Sequence, residues 1–274
     1  MLYLIGLGLA DEKDISVKGL EIIRRCSKVF LENYTSILHC GVERLQEFYG
    51  RYDLIIADRD MVEVGVLAIL REAKDSDIAL LVVGDPFGAT THSDLRLRAH
   101  RMGIQVEVIH NASIMNSVAA CGLQLYRFGQ TVSLCFWTER WRPDSYYRKI
   151  IENRNLGLHT LCLLDIKVKE PSEANLLRGK GHIYEPPRYM TVNQAIEQLL
   201  EIGERPEYKE GHLIRESDFA IGMARVGADD QIIKYGKMHD LLTFDFGAPL
   251  HCLVIPAKLH EMEEQVLKEI FSIY

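Results

Sequence analysis

The sequence has no apolar run that approaches the roughly 18 residues needed to cross a membrane. Its first residues, MLYLIGLGLADEKD, lack the basic segment and the long apolar core of a signal peptide. The six cysteines include neither a C-x-x-C pair nor the spacing of a zinc site. We therefore expect a cytoplasmic protein without membrane contact, with free thiols and without a bound metal.

The sequence also lacks an excess of positive charge. Its formal net charge is −7, whereas a general nucleic-acid-binding surface needs a basic face. We therefore expect no direct nucleic-acid binding, although a local patch for a large macromolecular partner stays open. Neither H-E-x-x-H nor G-x-S-x-G is present, so nothing favours a metalloprotease or a serine hydrolase.

Apolar segments alternate with amphipathic ones along the first part of the chain. Strands are predicted at residues 2–5, 29–31, 53–57, 78–83 and 105–109, and helices at residues 17–23, 61–73 and from the loop after residue 83 to residue 100. Ser16 is the predicted cap of the first helix, and Gly103 closes the last. Alternation of this kind predicts a mostly parallel sheet with right-handed crossovers.

The pattern changes after Asn111, Ala112 and Ser113, where Ser113 is placed to cap a short helix. Beyond this seam, strands are predicted at residues 131–137, 158–164, 217–226 and 251–255, and helices at residues 144–153, 191–202 and 257–273. The fold class predicted is α/β. The domains are residues 1–112 and residues 113–274, with a cleft between them.

The segment IALLVVGDPFGATTHSDL carries the strongest local signal. Its apolar half has the length and β-branched content of a strand buried on both faces, and Gly84 and Pro86 end that strand. Thr91 or Ser93 is available to cap the following helix. Because ligands of open α/β sheets bind at the carboxyl ends of strands, Asp85 is a candidate ligand-binding group. A turn-forming aspartate bonded to its own backbone is the alternative.

Gly6-Leu7-Gly8-Leu9 after the first strand partly matches a dinucleotide-binding fingerprint, and Glu32 lies where the ribose-binding acid would fall. The third glycine is missing, however, because Asp11 occupies its position. A carboxylate at the mouth of a phosphate site repels pyrophosphate, which argues against a nicotinamide cofactor. The turn still suits an uncharged or cationic ligand.

A loop or hairpin is predicted at residues 175–189, which are rich in glycine, proline and basic side chains. The candidate residues of this loop are Arg178, Lys180, His182, Tyr184, Arg188 and Tyr189. A solvated surface loop is one interpretation, and a patch in which arginine holds a substrate carboxylate is the other. Similarly, His251 is either a packed residue at the start of a strand or a group that lines the cleft.

Several motifs together resemble the diphthine synthase family of the tetrapyrrole methylases, which are class III methyltransferases. They are MLYLIGLGLADEKDIS, GDPFGATTHSDL, the Asn-Ala-Ser-Ile seam, KVKEPSEANLLRGKGHIYEPPRYMTVNQA, MARVGADDQ and DFGAPLH. The resemblance runs from Met1 to about Pro256. It implies a tetrapyrrole methylase-like fold with S-adenosyl-L-methionine bound in the cleft between the two domains. The EPPRYMTVNQA form resembles the eukaryotic branch.

The resemblance implies methylation of the aminocarboxypropyl-histidine of elongation factor 2 during diphthamide biosynthesis, with S-adenosyl-L-homocysteine as the second product. In the eukaryotic branch the final product is diphthine methyl ester, whereas archaeal relatives are expected to stop at the trimethylated amine. A homodimer is expected from the family only. The rival functions are a tetrapyrrole methyltransferase of the same fold and a regulatory module that binds an adenosyl nucleotide without catalysis.

The family's cofactor contacts, carried over by position, share a single expected role in binding the methyl donor: Leu9, Asp85, Gly88, Ser113, Ile114, Leu164, Val226 and His251. The apolar members suit adenine and the thioether carbons. Asp85 suits the cationic part of the cofactor, and Gly88 permits close backbone approach. No residue is assigned as a dedicated catalytic base, because positioning supplies most of the rate enhancement in such a transfer.

Overall fold

A computed structural model of the chain describes residues 1–32, 34, 36–38, 40–59, 61–62, 65–170, 175, 179, 183–208 and 214–273. The chain divides into two compact units, Met1–Ser117 and Val118–Tyr274. The predicted domain boundary after Ala112 lies within the first unit, and the extent of each domain stays a prediction. The helices described include none that is long and apolar enough to span a membrane.

The first unit alternates strands and helices. Its strands are β1 (Leu2–Gly6), β2 (Lys28–Glu32), β3 (Ile55–Ala57), β4 (Ile78–Val82) and β5 (Val106–Ile109). Its helices are α1 (Val17–Arg25), α2 (Val42–Tyr49), α3 (Val66–Glu72), α4 (His92–Arg101) and α5 (Ile114–Ser117). The strands form one parallel sheet in the order β3-β2-β4-β1-β5, which confirms the parallel α/β prediction for this part of the chain.

The helices cover both faces of this sheet. Ile22 and Ile23 of α1 pack with Ile5 on one face, whereas Leu95 and Ala99 of α4 belong to the core on the other. The neighbouring strands β1 and β4 therefore lead into helices on opposite faces. Such a topological switch point leaves a crevice at the carboxyl ends of the two strands, and ligands of open α/β sheets bind there.

Local details differ from the sequence predictions in the first unit. The predicted helix at residues 61–73 is shorter, since α3 begins at Val66. Helix α2 was not predicted; it begins after Gly41 and ends at Gly50, whose φ of 70° gives a left-handed cap. Ser16 caps α1 as predicted, because its hydroxyl accepts from the N–H of Gly19. Thr91 holds the cap position of α4 without a side-chain cap bond, so neither predicted cap hydroxyl acts there.

The second unit is built on a mixed sheet. Its strands are β6 (Val132–Leu134), β7 (Thr160–Leu164), β8 (Ile166–Lys167), β9 (Arg188–Tyr189), β10 (Phe219–Ala224), β11 (Ile232–Lys237) and β12 (His251–Ile255). Its α-helices are α6 (Ser145–Asn155), α7 (Val192–Gly203), α8 (Met238–Leu241) and α9 (Glu261–Val266). The main sheet has the order β11-β10-β12-β7-β6, and β8 pairs separately with β9.

Only β6 and β7 are parallel in the main sheet of the second unit; its other pairs are antiparallel. Strand β11 was not predicted, because Lys234 and Gly236 interrupt its apolar residues. It is an edge strand whose Ile233 and Tyr235 are buried while Lys234 is only partly so, and this period-two alternation was the available signal.

Two predicted segments of the second unit also differ from the structure in where they begin or end. The predicted helix at residues 257–273 begins only at Glu261, because His260 forms a capping box with Glu263, and it continues as a π-helix over Leu267–Phe271. Of the predicted basic loop at residues 175–189, the structure describes residues 175, 179 and 183–189, which include β9. Arg178, Lys180 and His182 lie outside the described residues.

Candidate functional site

Three loops meet at the carboxyl edge of the parallel sheet, after β1, β4 and β5. Gly8 and Gly84 exchange two backbone hydrogen bonds, of 3.3 Å and 2.7 Å, that join the first loop to the second. The side-chain amide of Asn111 donates to the carbonyl oxygen of Gly6 at 3.0 Å and joins the third loop to the first. A β-carbon on Gly6 would lie 2.6 Å from the carbonyl oxygen of Gly84. Only glycine therefore permits this close approach of the three loops.

The loop after β1 has no free phosphate cradle. The N–H groups of Leu9 and Ala10 both donate to one carboxylate oxygen of Asp14, at 3.1 Å and 2.7 Å. Gly8 reverses the chain with a φ of 82° to make this possible. Sequence reasoning gave the role of excluding phosphate to Asp11, but the Asp11 carboxylate accepts from the N–H of Lys13 instead. Asp14 is the acid that occupies the donors which a pyrophosphate needs.

Asp85 lies in the loop after β4, and its carboxylate joins that loop to the one after β5. One oxygen accepts from the N–H of Phe87 at 2.9 Å, and the other accepts from the N–H of Asn111 at 3.1 Å. His110 Nδ1 lies 2.8 Å from the second oxygen. Burial by itself raises the pKa of Asp85, but these hydrogen bonds outweigh burial and lower it. Asp85 is therefore an anionic clamp at this edge, and it also forms the turn that was its alternative interpretation.

Gly88 and Ser113 lie against each other. A β-carbon on Gly88 would be 2.6 Å from the Ser113 hydroxyl oxygen and 2.9 Å from the Ser113 β-carbon. Ser113 is buried and precedes α5, but the hydrogen bond at this helix start runs opposite to the predicted cap: the N–H of Ser113 donates to the side chain of Asn116. The structure thus brings together four predicted residues, Asp85, Gly88, Ser113 and Ile114, on two adjoining loops.

Three other predicted residues meet at one edge of the second sheet. In the pairing of β7 with β12, Leu163 lies opposite Cys252, which places Leu164 beside His251. On the other side of β12, Ala224 lies opposite His251, and Val226 follows shortly after. The edge therefore holds Leu164 and His251 in paired strands and Val226 in the turn after β10, although the three are far apart in the sequence.

Arg225 fixes this edge, and sequence reasoning missed it. Its guanidinium donates to the carbonyl oxygens of Phe246 and Ala248 and to both the carboxylate and the backbone of Asp230. The side chain is only 6% exposed, and its backbone has a φ of 50°. An arginine directly after an apolar strand was the available signal in the sequence, but nothing local identifies the carbonyl groups it binds. Arg225 therefore holds the segment that leads into His251.

His251 presents one unpartnered nitrogen. Its Nε2 lies 3.0 Å from the carbonyl oxygen of Ala248, which only accepts, so Nε2 carries the proton and Nδ1 is an acceptor. That Nδ1 is buried and makes no hydrogen bond to any residue that the structure describes. Burial lowers the pKa of His251, although the backbone hydrogen bonds oppose this effect. A neutral imidazole with a free acceptor is suited to a ligand N–H or O–H group.

Charged and aromatic groups flank the same edge. The carboxylate of Asp165, next to Leu164, accepts from the N–H of Phe136 at 2.8 Å. The guanidinium carbon of Arg188 lies 5.1 Å from the centre of the Phe136 ring. The Arg188 side chain is exposed and makes no hydrogen bond or ion pair to the described part of the chain, although its backbone pairs with Lys167 of β8. Within that part, no group of three or more His, Cys, Asp or Glu side chains is placed to hold a metal ion.

Comparison with known proteins places this geometry in a family. Residues 1–216 match the family model of the Tetrapyrrole (Corrin/Porphyrin) Methylases. A diphthine methyl ester synthase of Homo sapiens is 59% identical over 100% of this chain and 95% of its own length. The enzyme of that name from Saccharomyces cerevisiae is 56% identical, over 98% of this chain and 89% of its own. The chain belongs to the tetrapyrrole methylases and, within them, to the diphthine methyl ester synthase family.

Solved structures agree with this assignment. An Entamoeba histolytica protein described as a diphthine synthase has a TM-score of 0.85 and 54% identity, covering 100% of this chain and 99% of its own. Another crystal structure of a diphthine synthase has a TM-score of 0.83 and 35% identity, over 99% and 96% of the two chains. The predicted α/β tetrapyrrole methylase fold is thereby confirmed, and the protein is a methyltransferase. The predicted cofactor contacts and the cleft stay predictions.

Proposed function

We propose that this diphthine methyl ester synthase homologue transfers methyl groups from S-adenosyl-L-methionine to elongation factor 2. The acceptor is the aminocarboxypropyl-histidine of that factor, and the product is diphthine methyl ester, with S-adenosyl-L-homocysteine released. Full-length identity of 54–60% to proteins that bear this name carries the proposal. We further propose that the reaction occurs in the cytoplasm and that the enzyme is a homodimer, as expected from the family.

The names of the relatives favour the methyl ester over the simple trimethylated amine. Proteins from human, plant, amoeba and yeast sources at 54–59% identity are named for the methyl ester. The solved structure at 35% identity bears the shorter name diphthine synthase. The chain therefore groups with the branch whose product carries an additional ester methyl group.

The first unit offers groups that suit a cationic donor. Bound S-adenosyl-L-methionine would supply a methyl group on a positively charged sulfur. The neutral thioether that remains after the transfer is a good leaving group. The Asp85 carboxylate provides negative charge, and Gly6, Gly8 and Gly88 let the loops of this edge pack closely against one another. Because Asp14 occupies the N–H groups of Leu9 and Ala10, the same edge is poorly suited to a dinucleotide pyrophosphate.

The second unit offers an acceptor and apolar surface. His251 Nδ1 is free to accept from an amino or hydroxyl group of the donor. Leu164 and Val226, on either side of His251, provide apolar surface for a ring or for thioether carbons. Arg225 keeps the approach to His251 rigid through the carbonyl oxygens of Phe246 and Ala248. Positioning by such preorganised groups supplies on the order of 7–11 kcal/mol of the barrier reduction.

Arg188 is the proposed group for the carboxylate of the acceptor. It lies at the Leu164 edge, on the ring of Phe136, and has no ion-pair partner among the described residues. Guanidinium and carboxylate form bidentate hydrogen bonds that fix orientation as well as position. The same contact orients the carboxylate while the amine is methylated. No dedicated base is required, because water or a nearby carboxylate or carbonyl can take the amine proton.

A single incubation tests the proposed function. Purified protein is mixed with labelled S-adenosyl-L-methionine and with elongation factor 2 that carries the aminocarboxypropyl group. Mass spectrometry of the modified histidine is expected to find a trimethylated amine and an additional methyl ester that alkali removes. Trimethylation without the ester would restrict the enzyme to diphthine formation.

Two other outcomes would reject the proposal altogether. In a parallel incubation with a porphyrin precursor, label on that precursor, with none on elongation factor 2, would identify a tetrapyrrole methyltransferase. Binding of S-adenosyl-L-methionine without turnover on the competent factor would identify a regulatory module instead.

A further inference from the structure

The loop between β6 and α6 holds an indole out into solvent. Trp141 lies in this loop and is 55% exposed. It is one of only two tryptophans in the chain. Exposed tryptophan is uncommon, and tryptophan is enriched among the residues that dominate binding energy at protein interfaces.

The tip of this loop is closed on itself. The N–H of Thr138 donates to the carbonyl oxygen of Trp141 at 3.0 Å, and the N–H of Trp141 donates to the Thr138 hydroxyl at 3.1 Å. The indole N–H of the other tryptophan, Trp137, donates to the carbonyl oxygen of Pro143 at 3.1 Å. These three bonds fix the turn on which Trp141 is carried.

The base of the loop is attached to α7 and to Arg205, two residues beyond the end of that helix. Arg142 pairs with Glu201 of α7 at 2.6 Å, and Arg205 pairs with Asp144 at 3.1 Å. The guanidinium groups of both arginines lie over the ring of Trp137, at 5.4 Å and 5.3 Å from its centre. The Trp137 side chain therefore makes contacts within the protein, whereas no such contact is made by the Trp141 indole in the described part of the chain.

Rigidity of this kind favours binding. An aromatic side chain on a preorganised turn loses little conformational entropy when a partner covers it, so more of its burial appears as affinity. The exposed indole on a rigid turn is therefore suited to insertion into a pocket of a partner protein.

The loop is continuous with the candidate site of the second unit. Phe136, immediately before Trp137, donates its N–H to Asp165, which follows Leu164. A macromolecule whose modified side chain reaches the Leu164 edge is therefore brought close to the loop. The loop itself carries Arg140, and Arg188 lies over the ring of Phe136. Both arginines are exposed and form no ion pair with the described part of the chain. A matching partner surface has an apolar pocket with acidic residues at its rim.

We propose that Trp141 is the docking anchor for the folded protein substrate, outside the contacts that hold the modified histidine. This inference rests on the proposed function, since it assumes that the acceptor is part of a folded protein. A free small-molecule acceptor does not extend far enough to need such an anchor.

The test compares a whole-protein acceptor with a short peptide that carries the same modified histidine. Trp141→Ala is expected to raise KM for elongation factor 2 about tenfold, which is about 1.4 kcal/mol. KM for the short peptide and the Kd for S-adenosyl-L-methionine, measured by calorimetry, are expected to stay unchanged. The matched control is Tyr126→Ala, which removes a more exposed aromatic side chain (81%) from the same unit. It is expected to leave all three constants unchanged.

A second variant keeps the inference open to rejection if Trp141→Ala lowers stability. Arg140→Glu reverses an exposed charge and is expected to weaken binding of elongation factor 2, measured by interferometry, more at low salt than at high salt. If both variants leave KM and binding of the whole factor unchanged while the wild type methylates it, the anchor is rejected and the proposed function stands. If Trp141→Ala instead dissociates a dimer in light scattering, the loop is an interface between copies of this chain and the anchor is also rejected. If the wild type fails to methylate the factor, the proposed function falls and this inference falls with it.

Discussion

The Asp85 carboxylate accepts the backbone N–H of Asn111 at 3.1 Å, across 26 residues of sequence. The bond joins the loop after β4 to the loop after β5, where Ser113 and Ile114 lie. The ends of β4 and β5, which flank β1 in the sheet, therefore depend on one partly buried anion. Any change in that anion alters both the charge and the shape of the proposed donor site.

Asp85→Asn is expected to raise the Kd for S-adenosyl-L-methionine about tenfold, a change of about 1.4 kcal/mol. The amide accepts from one N–H group but presents its own NH2 group to the other, and it removes the negative charge. Isothermal titration calorimetry measures the affinity, and thermal unfolding checks that the fold persists. Asp94→Asn is the control, because Asp94 is exposed and pairs only with Arg98 on α4. Equal affinities of the two variants would contradict the proposed role of Asp85.

Gly88→Ala is expected to weaken donor binding by about 1–3 kcal/mol, because the added methyl group overlaps Ser113. The φ of Gly88 lies outside the left-handed region, so the effect is steric alone. Ser113→Gly removes both atoms that the methyl group meets. The double variant Gly88→Ala, Ser113→Gly is therefore expected to bind the donor better than Gly88→Ala does. Absence of any such coupling in the double-mutant cycle would argue against the contact.

Arg188→Ala is expected to lower kcat/KM for the modified acceptor roughly tenfold to a hundredfold, the range for loss of a charge-assisted hydrogen bond. Arg188→Lys keeps the charge but loses the bidentate geometry, so an intermediate value is expected. The Kd for S-adenosyl-L-methionine serves as the internal control and is expected to be unchanged. Amine and ester methylation rates that both match the wild type would remove Arg188 from the acceptor site.

Glu263→Gln is expected to destabilise the protein by about 3 kcal/mol, because it breaks a buried ionic network. The Glu263 carboxylate is almost fully buried and accepts from Arg127 at 2.9 Å, from the N–H of Gln124 at 2.9 Å and from His159 at 3.2 Å. The neighbouring Glu264→Gln, which affects only an exposed pair with Lys268, is the control and is expected to change stability by less than about 0.5 kcal/mol. Urea unfolding measures both. Similar values for the two variants would show that the network contributes little.

Acid is expected to destabilise the protein in two stages through this network. Burial lowers the pKa of His159 below its ordinary value of 6.5, so the unfolded chain binds that proton first as the pH falls through 6.5. For Glu263, the hydrogen bonds lower the pKa by more than burial raises it, so the pKa lies below its ordinary value of 4.5. Protonation of this carboxylate in the unfolded chain therefore adds a second loss of stability at lower pH. The free energy of unfolding, followed from pH 8 down to about pH 3, is expected to decrease at each stage. His159→Asn is expected to reduce the loss that begins near pH 6.5 and to leave the part that His251 contributes, since burial lowers the pKa of that histidine as well. A loss of unchanged size would assign it to other groups.

The local sequence was sufficient for the parts of the site that depend on short-range chemistry. An apolar run followed by Gly-Asp-Pro predicted a buried strand and a ligand-facing turn, and β4 ends at Val82 just before that turn. Ser16 was predicted to cap α1 because a hydroxyl before an amphipathic segment satisfies a free N–H group, and it does so. Motifs spread over the chain predicted the family, which the comparisons confirm.

Other features of the site required the folded chain. Sequence reasoning assigned the exclusion of phosphate to Asp11 from its spacing, but loop geometry gives that role to Asp14. Arg225 attracted no prediction, because its partners are carbonyl groups of a segment about 20 residues away. The unpartnered nitrogen of His251 likewise depends on what β7, β10 and β12 place around it.

The sequence by itself determined most of the strands and helices, the turn residues and the family, since these depend on period, propensity and local hydrogen bonding. The tertiary structure alone decided which of these loops meet, which way the second sheet pairs, and which polar atoms remain available to a ligand. The physical reason is that strand register and long-range hydrogen bonds, such as that from Asn111 to Gly6 across 105 residues, are selected by packing of the whole unit. No window of sequence contains both partners of such a bond.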